Sequence, residues 1–392
     1  MVSSPYNAAH DQELVEKVAT LARENFAPRA ATYDSESTFP FDNYRDLHQE
    51  GLIGLTVPRE YGGVGVDPTT YVLALLEIAK GCPATALTFN MHANVIINID
   101  QLAAPDQKRR YFSEVVEEGR LFATVMSEPE SSFRDLFVLR TRFTPTEQGK
   151  FRVKGLKHFC SLGDAADRYF VTGLRDGSNT AQEGIMAAMV PRGDDGITLE
   201  RPWNATGMRA TTSHSIRFDT EVSGEDIMGN PGQLLTIELS GFALGYAATY
   251  LGVSEAAYDF ILNYARTRVI APSTETLAHD TRIQRSLGEM AAQIRSAKLM
   301  LCEAAAIRAT GVREDMSLAT NQAKYLCAEA GVRVTEQAMR LAGGSGFLKT
   351  MPLERWHRDA LAGPVMPPSN DRCLEVIGRI VCGLRAATLE FQ

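Results

Sequence analysis

Few side chains in this 392-residue sequence combine a type and a setting suited to proton transfer or to holding a redox ring. Ser161 offers a small hydroxyl donor two residues after an aromatic, in Gly155-Leu-Lys157-His-Phe159-Cys-Ser161. His92, in Phe89-Asn-Met-His-Ala-Asn94, and His357, beside Arg358-Asp359, offer imidazoles able to exchange a proton near neutral pH, although each suits a satisfied structural histidine better. His214, among Thr211-Thr-Ser213, reads as incidental. Glu238 offers a carboxylate, read either as a base pointing into a cavity or as a surface glutamate on an amphipathic helix. Cys82, Cys160, Cys302, Cys327, Cys373 and Cys382 lie at irregular intervals with no Cys-x-x-Cys pair and no clustered histidine. That spacing argues against a zinc site and for reduced thiols, with Cys160 a small apolar filler. No Gly-x-Gly-x-x-Gly fingerprint follows a strand, so a nicotinamide site is not expected.

The elements that must position these groups fall into three stretches. Residues 1–120 carry apolar side chains at helical spacing, as in Leu14, Val18, Leu21 and Val72, Leu73, Leu75, Leu76, Ile78. Residues 121–229 change to short runs such as Tyr169-Phe-Val-Thr and Ile185-Met-Ala-Ala-Met-Val between Gly, Asp, Asn and Pro, the texture of a small, barrel-like β-domain. Residues 230–392 return to long helical patterns, Leu234 to Ala265, Ile283 to Thr310, Ser317 to Ala342 and Asn370 to Leu389, which suit a four-helix bundle. Ala271 to Asp280 reads as a loop. The expected fold class is α+β. The formal charge of −8, with no basic stripe, excludes a sequence-independent grip on nucleic acid. No apolar run approaches the ~20 residues that span a bilayer, and no signal peptide opens the sequence, so a cytoplasmic protein is expected.

Several motifs in one order make the pattern specific. Val57-Pro-Arg-Glu-Tyr-Gly-Gly-Val-Gly, Ser127-Glu128-Pro129, the Gly155 to Ser161 segment, Gly207-Met208-Arg209, Gly343-Gly-Ser-Gly-Phe347 and Pro352-Leu-Glu-Arg-Trp-His-Arg358-Asp359 together resemble the acyl-CoA dehydrogenase superfamily along the whole chain. The resemblance implies a helical domain, a β-domain and a C-terminal bundle around FAD. By the same resemblance, Met126 and Ser127 lie along the flavin's pyrimidine edge, Ser132 is among the cofactor-binding residues, Phe159 packs against the ring face, and the Ser161 hydroxyl meets N5. Arg268, Gly343, Gly344 and Ser369 would hold the remainder, partly from a neighbouring subunit, so a homodimer or homotetramer is implied. Arg340 replaces a family glutamine and either pairs with pyrophosphate or stays a solvated helix arginine.

The resemblance breaks where the reaction should be. Thioester dehydrogenation needs a carboxylate to take the α-proton while hydride leaves the β-carbon. Pro367-Pro368-Ser369 occupies the family's Glu-Gly-Thr, and Phe242-Ala243 the second known location. Glu238, one turn earlier on that helix, is the remaining candidate. The tail from Arg358 to Asp371 is similar to that of the superfamily's flavin monooxygenases, the nitrososynthase and indole-hydroxylase branch. This favours an enzyme that uses FADH2 from a separate reductase and O2 to hydroxylate a small aromatic or amine through a C4a-hydroperoxyflavin, with Ser161, His92 and His357 assisting. The alternative is an acyl-CoA or acyl-carrier-protein dehydrogenase with a non-standard base and a separate electron-transfer partner.

Overall fold

The structure, a computed structural model, describes residues 11–129, 139–238 and 241–384, with the backbone alone at Arg313 and Glu314; Ser132 therefore lies outside the described residues. The chain opens with α1 (Gln12–Leu21), a π-helical turn (Ala22–Phe26), α2 (Ala27–Glu36), α3 (Phe41–Gln49), α4 (Pro68–Gly81), α5 (Pro83–Leu102) and α6 (Pro105–Val116). The Asp67 carboxylate starts α4 by accepting from the Thr69 and Thr70 amides, with Pro68 at the first helical position. α5 is buried almost all round, as its apolar composition requires of a helix with no solvent face.

The strands follow as β1 (Phe122–Val125), β2 (Arg142–Pro145), β3 (Lys150–Cys160), β4 (Arg168–Arg175), the single-turn α7 (Ala181–Gly184), β5 (Ile185–Pro191), β6 (Ile197–Arg201), β7 (His214–Ser223) and β8 (Ile227–Met228). They form one sheet in the order β6-β7-β3-β2-β4-β5-β8. β1 and β2 run parallel to β4, against Arg168 to Val171 and against Leu174 to Arg175 respectively. The two strand segments expected at Tyr169 and Ile185 lie in β4 and β5; the shorter β1, β2, β6 and β8 have too few residues to establish a period.

The C-terminal helices are α8 (Gly241–Thr267), α9 (Thr281–Thr310), α10 (Arg313–Ala342), α11 (Leu353–Ala360) and α12 (Asn370–Val381). α10 packs on α8, α9, α11 and α12, while α8 also packs on α4 and α5 and so joins the two helical regions. One expectation is corrected here: Glu238 precedes α8 instead of lying on it. Between Arg268 and Thr281 the chain makes an isolated bridge from Val269 to Thr276 and a short 3-10 turn. Among the described residues no helix is long and apolar enough to cross a membrane.

The three layers meet at one latch. Arg358 on α11 donates to both carboxylate oxygens of Asp34 at the end of α2, at 3.0 and 2.6 Å, and to the Thr206 carbonyl at 3.0 Å. Next to it the Asp359 carboxylate accepts the Met208 amide at 2.6 Å, and Arg209 Nε donates to the Asp34 carbonyl at 2.9 Å. Residue 207 has to be glycine, because a Cβ there would overlap the Arg358 carbonyl.

Candidate active site at the bulged end of the central sheet

The site is built on an irregularity in β3. Antiparallel pairing with β7 runs regularly from Lys150↔Ser223 to Lys157↔Ile216 and then resumes at Cys160↔His214, leaving one extra residue on β3. Such a bulge turns a side chain out of the sheet. Phe159 sits there at φ +55° and is 67 % exposed, with its ring edge toward Trp203 at 6.2 Å between centroids. Leu162, Met208 and Thr212 also take positive φ, so among the described residues four of the six non-glycine residues in this backbone region surround the bulge. Each costs about 1–3 kcal/mol, and such strain persists only where neighbours over-determine it. Here the Leu162 amide donates to the Thr211 carbonyl at 3.1 Å and the Gly163 amide to the Thr212 carbonyl at 3.0 Å. Gly163 permits that approach, since a Cβ would lie 2.8 Å from the Thr212 oxygen.

Beneath the bulge lies a buried ion pair. The Lys157 ammonium donates to Glu128 at 2.7 Å and to the Met126 carbonyl at 3.1 Å, while Glu128 also accepts the amides of Arg140 and Thr141. Burial by itself would raise the Glu128 pKa, but Lys157, Thr141 and Arg140 outweigh it and hold the carboxyl below its usual range. The Ser127 carbonyl accepts the His158 amide at 2.9 Å, so the segment expected along the flavin edge is fixed to β3 from below. Sequence motifs had marked Glu128 and Lys157 without indicating that they pair.

Above it, Ser161 Oγ lies 2.9 Å from Ser213 Oγ, which lies 2.7 Å from Thr211 Oγ1, which lies 2.9 Å from the Met208 carbonyl. Trp203 closes this corner by donating Nε1–H to the same carbonyl at 2.9 Å and its amide to His214 Nδ1 at 2.8 Å. Thr211, Ser213 and Trp203 are neighbours of the candidate Ser161 hydroxyl that its motif did not single out. The available signal was the run of three hydroxyl residues opening a strand that pairs with the Ser161 segment.

The remaining candidates separate. His92 is fully buried between Phe89 and Phe122, its Nδ1 accepts the Phe122 amide at 3.0 Å, and burial pushes its pKa down to about 4. This imidazole is neutral and braces α5 against β1, which favours the structural reading of His92 over the assisting one. Thr335 Oγ1 lies 3.0 Å from Nδ1 of the half-buried His357, whose pKa is lowered by burial. Glu238 forms an ion pair with Arg308 of α9. Ser369 caps α12 by accepting the Arg372 amide at 3.3 Å. The tail before it is tied down at both ends by the buried Lys324, which donates to the Gly363 carbonyl at 2.7 Å and to Asn370 at 3.0 Å. Burial holds that ammonium's pKa down to about 8. Arg268 is exposed at the end of α8, and the equally exposed Arg340 pairs with Glu336 at 2.6 Å. Gly343 takes φ +61° and ψ −146°, and neither it nor Gly344 has an atom within 4 Å of where a Cβ would be. A strained exposed aromatic beside a hydroxyl chain, with an open glycine pair elsewhere, fits a flat redox ring with a phosphate tail. Among the described residues no cluster of three His, Cys, Asp or Glu is positioned to hold a metal, and all six cysteines are free.

An acyl-CoA dehydrogenase of Bacillus subtilis (strain 168) is 28% identical over 383 residues, covering 96% of this chain and 99% of that protein. The structure of butyryl-CoA dehydrogenase from Megasphaera elsdenii superposes with a TM-score of 0.88 at 25% identity, covering 97% of this chain and 99% of that one. TdsC from Paenibacillus sp. A11-2, solved with FMN and indole, superposes with a TM-score of 0.87 at 23% identity over 97% and 100% of the two chains, a likeness of fold. Family models for the N-terminal, middle and C-terminal domains of acyl-CoA dehydrogenases match residues 8–118, 123–220 and 235–381 in that order, so the chain belongs to the acyl-CoA dehydrogenase family and is an oxidoreductase of this flavin-using kind.

Proposed function

We propose that the protein dehydrogenates an acyl thioester, carried on coenzyme A or an acyl carrier protein, with FAD as the acceptor. The observation that carries this reading is likeness to acyl-CoA dehydrogenases along nearly the entire length of both chains. It reverses the preference drawn from the tail alone, which favoured a monooxygenase. When bound, FAD supplies an acceptor for the hydride leaving the β-carbon. Phe159 walls the ring, Ser161 meets its N5 edge, and the Lys157–Glu128 pair holds the 126–128 backbone beside it. Arg268, Gly343 and Gly344 serve the pyrophosphate end across a subunit boundary. A separate electron-transfer protein would be the partner that accepts the electrons.

The proton needs a base, and Glu238 is the carboxylate we assign. Its partner Arg308 closes over Gly241 at the start of α8, within one turn of Phe242, the family position where a base would otherwise be. Substrate entry has to loosen that pair. The test is anaerobic mixing of the FAD-loaded enzyme with a panel of acyl-CoA and acyl-carrier-protein thioesters, followed at the flavin absorbance. At least one thioester bleaches the flavin, and Glu238→Gln slows the bleaching about 100-fold or more. Undiminished bleaching in Glu238→Gln removes the base assignment while keeping the dehydrogenase. A second reading, monooxygenation by reduced flavin, is favoured by the Pro367-Pro368 pair. No bleaching by any thioester, with a long-lived transient when air meets the reduced enzyme, would establish it in place of the first.

A further inference from the structure

We propose that Thr211 and Ser213 are positioning residues that make the Ser161 hydroxyl reversible, so that it serves both redox states of the flavin and favours the reduced one. The proposal rests on the reading that Ser161 meets flavin N5. Three hydroxyls, each with one hydrogen, stand in series from Ser161 through Ser213 to Thr211, and the series ends on the Met208 carbonyl, which can only accept. One hydrogen per link allows two complete arrangements. In the inward arrangement Ser161 donates to Ser213, Ser213 to Thr211, and Thr211 to the Met208 carbonyl, so Ser161 presents lone pairs to the site. In the outward arrangement Thr211 donates to Ser213 and Ser213 to Ser161, so Ser161 presents its hydrogen.

The N5 atom of an oxidised flavin accepts a hydrogen bond, and that of a reduced flavin donates one. The outward chain therefore matches the oxidised state and the inward chain the reduced state. Only the inward chain keeps the bond from Thr211 to Met208, although Trp203 Nε1 and the Thr211 amide serve that carbonyl in both. A lone serine would have no such difference between its two orientations. Burial makes the difference count: Thr211, Ser213 and Ser161 are all enclosed, where a hydroxyl hydrogen without an acceptor is costly.

The measurement is the flavin's two-electron reduction potential, by anaerobic equilibration with a reference dye, in the FAD-loaded wild type, Thr211→Val, Thr211→Ser, Ser213→Ala and Ser161→Ala. Thr211→Val leaves the inward chain without its last acceptor, so the ratio of reduced to oxidised flavin at a fixed potential falls about tenfold, a drop of about 30 mV. Thr211→Ser restores the wild-type value, which a merely structural role for the threonine methyl would not do. Ser213→Ala shifts the potential in the same direction as Thr211→Val. If Thr211→Val matches the wild type while Ser161→Ala moves the potential, the relay is overturned and the Ser161 contact stands. If Ser161→Ala also leaves the potential and flavin spectrum unchanged, the placement of flavin at Ser161 fails and the relay with it.

Discussion

Single residues decide how firmly the 126–128 backbone, the proposed flavin edge, is held. Lys157 and Glu128 are both enclosed, so their attraction has to offset a large desolvation cost, and removing one partner leaves an uncompensated charge. Lys157→Met is expected to destabilise the protein by about 3–5 kcal/mol in denaturant unfolding and to weaken FAD binding. Adding Glu128→Gln removes the stranded charge while its side-chain oxygen still accepts a backbone amide, and recovers a large part of the stability. A double variant no more stable than Lys157→Met would mean that the stranded charge is not the cause. Ser161 and Phe159 were recognisable from their motif, whereas the pairing of Glu128 with Lys157 depends on two segments separated in sequence by most of β2 and β3.

At the scale of elements, the contact between α11 and the 206–209 turn carries a titratable group. Burial raises the Asp359 pKa to about 6, above the roughly 3.9 of an unfolded aspartate, despite Arg355 and the Met208 amide favouring its charge. Between pH 4 and 6 the folded protein thus keeps a proton that the unfolded chain releases. The folded state binds more protons there, so this group's contribution to stability falls as pH rises through that window, by on the order of 3 kcal/mol. Asp359→Asn, whose side-chain oxygen still accepts the Met208 amide, should abolish that slope. Urea midpoints for both proteins at pH 4.5 and 7.5 check this, and parallel changes in the two would refute it. The sequence marked Gly207-Met208-Arg209 and Arg358-Asp359 as separate motifs; the latch appears only when α11 is packed on the sheet.

Across the whole molecule, the candidate phosphate-binding groups are open to the surface. Arg268 is exposed, and the Gly343-Gly344 pair opens onto space next to Phe347, which is 81 % exposed. An apolar surface of that kind suits coverage by a second copy. On the proposed assembly, Arg268→Ala weakens FAD binding about tenfold or more, the loss of a hydrogen bond to a charged group, while the melting temperature of the FAD-free protein stays unchanged. FAD titration with sedimentation of the same samples measures both. An unaltered FAD affinity would dissociate Arg268 from the cofactor.

The sequence alone determined the order helices, strands, helices, because a period near 3.6 or 2 sustained over many residues leaves little choice of element, and it determined the family through motifs that are local runs of chain. Helix caps such as Asp67, Asp280 and Ser369 are equally local. The tertiary structure decided what those runs become when distant segments meet. It buried His92 under β1, drew Glu238, which precedes α8, to Arg308 on α9, and aligned Thr211 and Ser213 behind Ser161. Each outcome depends on a non-local contact whose partner is set by sheet register or helix packing, and neither composition nor spacing along a chain encodes which side chain will stand across the gap.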